Sequence, residues 1–115
     1  MPFLKVCTNA ELKISKDEFI EKVAEMVATE LGKPIGYVVV LLNKNDNMSF
    51  GGKFANKGIL SYIESIGFGS KKEVLVSKLT DYFVSSFTGV EMRNINIVAI
   101  DMPASIVAIG GNFLG

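Results

Sequence analysis

The sequence predicts one α/β domain spanning residues 1–115, built as two pseudo-repeated βαβ units with a four-stranded mixed sheet and two helices on one face. Three observations point there. Short β-favouring runs alternate with apolar stripes at helical spacing. Each stripe follows a Ser-x-x-Glu pattern, Ser15 to Glu18 and Ser70 to Glu73, which is the spacing of a capping box. The two boxes lie 55 positions apart, as an internal duplication requires. A chain of 115 residues suits one hydrophobic core and leaves no room for a second.

Taken in order, Phe3 to Thr8 is a short strand. Ser15 and Glu18 open a helix whose stripe is Phe19, Ile20, Val23, Met26, Val27 and Leu31. Gly32 is placed to cap it, and Pro34 to prevent its continuation. Tyr37 to Leu42 is a strongly β-favouring run, followed by turn chemistry at Lys44 to Asn47 and at Gly51-Gly52. In the second half, Ile59 to Ile66 reads as a strand. Ser70 to Glu73 opens a helix with the stripe Leu75, Leu79, Tyr82, Phe83 and Phe87, and Gly89 is its expected stop. Asn94 to Ile100 closes the sheet, and Ile106 to Ile109 adds a short edge strand. The run Val38 to Leu42 is apolar on both sides, as in strands buried on both faces. Two helices cover only one face, so the other implies an oligomer packed sheet to sheet, with edge strands shared between copies.

Composition removes several classes of function. Lys plus Arg equals Asp plus Glu at 12 each, so there is no basic stripe for nucleic acid. No apolar stretch approaches the ~20 residues that a membrane helix needs. The amino-terminal residues Met1 to Val6 lack a basic segment before an apolar run, so no signal peptide is expected. Cys7 is the one cysteine, which forbids an intrachain disulfide and suits a reducing, cytoplasmic setting. Without a secretory signal, the sequon Asn47-Met48-Ser49 is expected to stay unmodified. There is no histidine, so the usual neutral-pH base and the commonest metal ligand are both missing. With one cysteine, Cys/His zinc sites and Cys–His nucleophile pairs are excluded as well. No metal or other cofactor is expected. Acid–base chemistry then falls to a carboxylate, a lysine, a tyrosine or the chain's own amino group.

Two residues admit both a structural and a chemical account. Pro2 is either an ordinary residue before a strand or, once Met1 is removed, a terminal secondary amine. Chain amino groups titrate near ~8. An apolar pocket and a nearby cation favour the neutral form, which is a competent base. Lys33, within Gly32-Lys33-Pro34, either complements the negative end of a helix dipole or offers a fixed cation to a carboxylate. The Gly67-Phe68-Gly69-Ser70-Lys71 segment lacks the spacing of a phosphate loop and reads as the turn before the second helix.

Considered together, the residues resemble the macrophage migration inhibitory factor family, which includes D-dopachrome tautomerase. The resemblance runs end to end. It rests on Met1-Pro2-Phe3-Leu4, Thr8-Asn9, Leu31-Gly32-Lys33-Pro34 with Tyr37, and Met48-Ser49-Phe50-Gly51-Gly52. Ser65-Ile66-Gly67, Ser77-Lys78-Leu79, Asp101-Met102 and Asn112-Phe113 extend it. It implies a homotrimer with the active site between subunits and an aromatic α-keto acid such as phenylpyruvate, or a dopachrome-like compound, as substrate. Pro2 would be the catalytic base and Lys33 would bind the substrate's carboxylate or carbonyl oxygen. The backbone N–H of Ile66 would add a hydrogen bond, while Tyr37, Val107 and Phe113 would line the aromatic-accepting pocket.

The departures from the family pattern matter equally. Asn96 and Val98 stand where the family commonly places a tyrosine, from the neighbouring subunit, and an asparagine. Asn96 keeps a hydrogen-bonding group for substrate without an aromatic face. Ile109 replaces a tryptophan common in the cytokine branch, and the C-x-x-C of that branch is missing from Lys53 to Leu60. The expected function is therefore a cofactor-free keto–enol tautomerase. The alternative is a cytokine-like ligand of a cell-surface receptor with vestigial turnover, since members of this family leave cells without a signal peptide. A retained Met1 would acylate the Pro2 nitrogen and remove its basicity.

Overall fold

The computed structural model describes residues 1–115. Its main elements are β1 (Phe3–Thr8), α1 (Lys16–Leu31), β2 (Val39–Lys44), β3 (Lys57–Ser65), α2 (Lys72–Ser86) and β4 (Val90–Asp101). A small hairpin of β5 (Ala108–Ile109) and β6 (Asn112–Phe113) follows, and 3-10 turns occupy Ile35–Tyr37 and Ala104–Ile106. The main sheet runs β2-β1-β3-β4. Each βαβ unit supplies a parallel pair, β1 with β2 and β3 with β4, and the units meet at the antiparallel pair β1 with β3. This is the expected mixed sheet, with the duplication visible as its symmetry. No helix is long and apolar enough to cross a membrane.

The start of α1 follows the sequence closely. The Ser15 hydroxyl accepts the Glu18 N–H at 3.1 Å, satisfying one of the free amides at the helix start. At the other end Gly32 adopts φ 63°, where its N–H reaches the Thr29 carbonyl at 3.3 Å and the Lys33 N–H reaches the Ala28 carbonyl at 3.0 Å. That double closure is a Schellman motif, and it fixes where Lys33 leaves the helix.

The second helix departs from its expected cap. Lys71, not Ser70, stands at the N-cap, and no side chain bonds there. A turn from Phe68 to Lys71, closed by Lys71 N–H to the Phe68 carbonyl at 3.1 Å with Gly69 at φ 58°, consumes Ser70 and moves the helix start on by one residue. The stop differs too. Phe87 turns extended at φ −114°, ψ 144° and buries its ring, so the helix ends before Gly89, which turns the chain into β4 instead. A short antiparallel bridge from Leu12 to Phe87 reinforces this ending. Other boundaries also shift. Tyr37 belongs to a 3-10 turn, in which its N–H bonds the Pro34 carbonyl at 3.1 Å, so β2 begins only at Val39. Ile106 likewise lies in a 3-10 turn, and the last short strand pairs with β6 rather than with the main sheet.

Alternation along the strands sorts side chains onto two faces. Leu4, Val6, Ile59 and Ile63 point toward the helices and meet Phe19, Val23, Val27, Leu75, Leu79 and Phe83 in one core. The Phe19 ring sits edge-on to Phe87 at 5.1 Å, an arrangement aromatic quadrupoles favour. The opposite face carries Val39, Leu41, Lys5, Tyr62, Val98 and Ile100, and no element of the chain covers it. Val39 and Leu41 remain 55% and 52% exposed.

The two serines give a direct test of these caps. Ser15→Ala is expected to lower stability by about 1 kcal/mol in urea denaturation. Ser70→Ala is expected to change it by under ~0.5 kcal/mol. Equal losses would mean that Ser70 caps α2 after all.

Candidate functional site at the amino terminus

Three backbone devices converge on the amino terminus. Pro2 immediately precedes β1 and is buried, and its carbonyl accepts the Val39 N–H at 3.1 Å, so the entering chain is fastened to β2. Lys33 leaves the Schellman closure of α1, held on its other side by Pro34. Ile66 follows the last residue of β3 and leads into Gly67 at φ 79°. The Lys33 ammonium donates to the Ile66 carbonyl at 2.7 Å.

This placement sets the electrostatics of the terminal amine. That amine belongs here to Met1, and its pKa lies below the ordinary value of 8.0. Burial is the largest cause, followed by the charge of Lys33 and then a hydrogen bond with Lys33. Two cations side by side disfavour each other, and partial removal from water penalises the charged amine further. Both effects favour a neutral amine.

An open cleft of about 600 Å³ lies beyond Lys33, between the end of α1 and the turn before α2. Lys33, Ile66, Gly67, Phe68, Ser70 and Lys71 line it. Lys33 is the side chain common to this cleft and to the surroundings of the amine.

Comparison with known proteins identifies the family. The family model for macrophage migration inhibitory factor covers residues 1–115. The chain belongs to that family. The homolog from Trichuris trichiura is 27% identical over 112 residues, with 97% of this chain and 98% of the relative covered. The Brugia malayi homolog is 28% identical over 121 residues, and both chains are covered in full. Among solved structures, the factor from Oncomelania hupensis superposes with a TM-score of 0.89 at 25% identity, covering 100% of this chain and 83% of that one.

Within this member of the family, a single chain brings together Pro2, Lys33 and Ile66 but not every residue expected at the site. The Ile66 carbonyl, rather than its N–H, makes the contact with Lys33, and the N–H donates to none of the backbone bonds outside the regular elements. Tyr37 lies four residues beyond Lys33 and is 51% exposed. Val107 is buried at 5% exposure, whereas Phe113 is 65% exposed. The two are tied through the terminal hairpin, where the Val107 carbonyl accepts the Leu114 N–H at 2.9 Å. Asn96 sits on the open face of β4, paired with Leu60. It is five residues before Asp101, which pairs with Ser65 next to Ile66. At ~3.3 Å per residue that is roughly 17 Å along the strand, out of reach of Lys33 in the same chain. Sequence reasoning used Asp101 only as part of a resemblance, yet its carboxylate accepts the Gly67 N–H at 2.9 Å. Nothing local in the sequence signals that bond, because it joins positions 34 residues apart.

Lys33→Met removes the second and third causes of the depressed amine pKa and leaves burial in place. The pH profile of amine labelling should therefore move upward, toward 8.0 without reaching it. An unmoved profile would show that Lys33 does not act on the terminus.

Proposed function

We propose that the chain is a cofactor-free keto–enol tautomerase that uses the Pro2 nitrogen as its general base. Its substrates are aromatic α-keto acids of the phenylpyruvate type or dopachrome-like compounds. The observation carrying this reading is the terminal amine held beside Lys33 with its pKa lowered. In the present chain the Met1 amine occupies that environment and stands in for the amine that removal of Met1 leaves on Pro2. The chain has no histidine, so this amine is the natural neutral-pH base.

The reaction needs little else. Pro2 nitrogen takes a proton from the carbon next to the ketone, and the C–H electron pair moves to form an enolate. Negative charge collects on the ketone oxygen, where the Lys33 ammonium stabilises it. The protonated Pro2 then delivers its proton to that oxygen, which yields the enol and restores the base. A carboxylate on the substrate is a second anchor for Lys33. Tyr37, Val107 and Phe113 form the wall for the aromatic ring, with the Ile66 N–H as an additional donor.

An assembly completes the site. The open sheet face with Val39, Leu41, Val98 and Ile100 supports a homotrimer whose subunits cover one another's sheets. Asn96, too distant to reach Lys33 in its own chain, then serves a neighbouring subunit's site, where it offers a hydrogen bond without a stacking surface. That last feature favours a second reading, a secreted receptor ligand in which turnover is weak.

One assay separates the two readings. Phenylpyruvate keto–enol conversion should be measured on protein whose lack of Met1 has been verified by intact mass. Pro2→Gly is expected to lower the rate by about a hundredfold or more, with the oligomer unchanged on gel filtration. Wild-type protein lacking Met1 that shows no conversion would reject the enzyme reading and leave the receptor ligand.

A further inference from the structure

We infer that Asp101 is a positioning residue that locks the orientation of the Ile66–Gly67 peptide and, through it, the placement of Lys33. The inference rests on the tautomerase reading for its importance to turnover, but its geometry stands apart from that reading. The Ile66 carbonyl and the Gly67 N–H belong to one planar peptide unit, and in a trans peptide they point in opposite directions. The structure engages both ends. The Gly67 N–H donates to the Asp101 carboxylate at 2.9 Å, while the Ile66 carbonyl accepts from the Lys33 ammonium at 2.7 Å. A carboxylate acceptor and an ammonium donor on opposite sides of the plane select one of its two orientations. If the peptide flipped, its N–H would face the ammonium and its carbonyl the carboxylate, so both contacts would turn repulsive.

The surrounding bonds show why Asp101 is suited to this task. It is the last residue of β4, in register with Ser65, so the sheet itself sets its distance from the turn. The Met102 N–H bonds the Ser65 carbonyl at 2.8 Å and extends that pairing by one step. On the turn side, the Ser65 hydroxyl donates to the Gly67 carbonyl at 2.9 Å. Gly67 itself sits at φ 79°, a conformation open to glycine at little cost, so local backbone preference does little to hold it. The peptide between Ile66 and Gly67 is therefore free to rotate except for the two side chains that grip it. Asp101 is exposed and is not itself among the residues that line the cleft; its contact there is the Gly67 N–H, so it acts through the peptide rather than on the substrate.

Three proteins test this: wild type, Asp101→Asn, which keeps an oxygen acceptor, and Asp101→Ala, which does not. The alanine variant is expected to lower kcat/KM for phenylpyruvate roughly fivefold, as fits the loss of one positioning hydrogen bond. Its amine labelling profile should move up toward 8.0, because a displaced Lys33 no longer acts on the terminus. The asparagine variant should restore both properties. An alanine variant that is folded yet labels like wild type would overturn the inference. Should that variant fail to fold, the wild type decides: the Gly67 amide, bonded to the Asp101 carboxylate, should exchange with solvent more slowly than an unbonded exposed amide. An amide that exchanges freely would equally refute the lock. If wild type shows no turnover, the tautomerase reading fails while the labelling profile and the Gly67 amide still judge the role of Asp101.

Discussion

The hydrogen bond from Lys33 to the Ile66 carbonyl is the contact on which the site depends. It joins the end of α1 in the first βαβ unit to the end of β3 in the second. Each unit alone supplies half of it: a helix exit that fixes a lysine, and a strand exit that aims a carbonyl. Only the antiparallel seam of β1 and β3 brings those exits to the same end of the sheet. β1 also delivers the amino terminus there, since Pro2 lies next to its first residue. A duplicated fold thus concentrates a cation, a carbonyl and a terminal amine at one place, without any long loop to carry them.

The same topology leaves one sheet face bare. Both helices pack against the core side, and the chain ends in a hairpin too small to cover the other. Apolar side chains such as Val39 and Leu41 are left in water there, at a cost that grows with the exposed area. In the proposed oligomer a partner of the same kind would remove that cost and at once supply Asn96, whose own β4 holds it far from its own Lys33. On that proposal, stability of the assembly and completeness of the site share one cause.

Much of this was legible in the residues, and the failures have physical reasons. The strand Phe3–Thr8, the cap at Ser15 and the closure at Gly32 are local events, decided by neighbouring side chains and by the one residue that tolerates positive φ. The Ser70 pattern failed although it matched Ser15 in spacing. A turn closed between Phe68 and Lys71 took that serine before the helix began, and spacing alone cannot distinguish the two cases. Phe87 ended α2 early because core burial of its ring outweighed continuation to Gly89. Tyr37 read as strand from its β-favouring neighbours, yet Pro34 set a 3-10 turn that claimed it. At the site, Pro2 and Lys33 stood out from the residues themselves, and the resemblance to known sequences fixed their expected roles and added Ile66. The direction of the Ile66 contact and the part played by Asp101 were not legible, since both rest on pairings across more than 30 residues.

In a chain without histidine the proposed neutral-pH base must be something else, and here the proposal makes it by environment. Burial and the Lys33 charge act in the same direction on the terminal amine, so the tautomerase reading needs no unusual group, only an ordinary amine placed where protonation is disfavoured. The most direct test is a nitrogen-15 NMR titration of the Pro2 amine in wild-type protein from which Met1 has been removed. The account predicts a pKa below 8.0, the ordinary value of a chain amine, because burial and the Lys33 charge both disfavour the protonated form. A value at or above 8.0 would contradict it, because the site would then not disfavour the protonated amine.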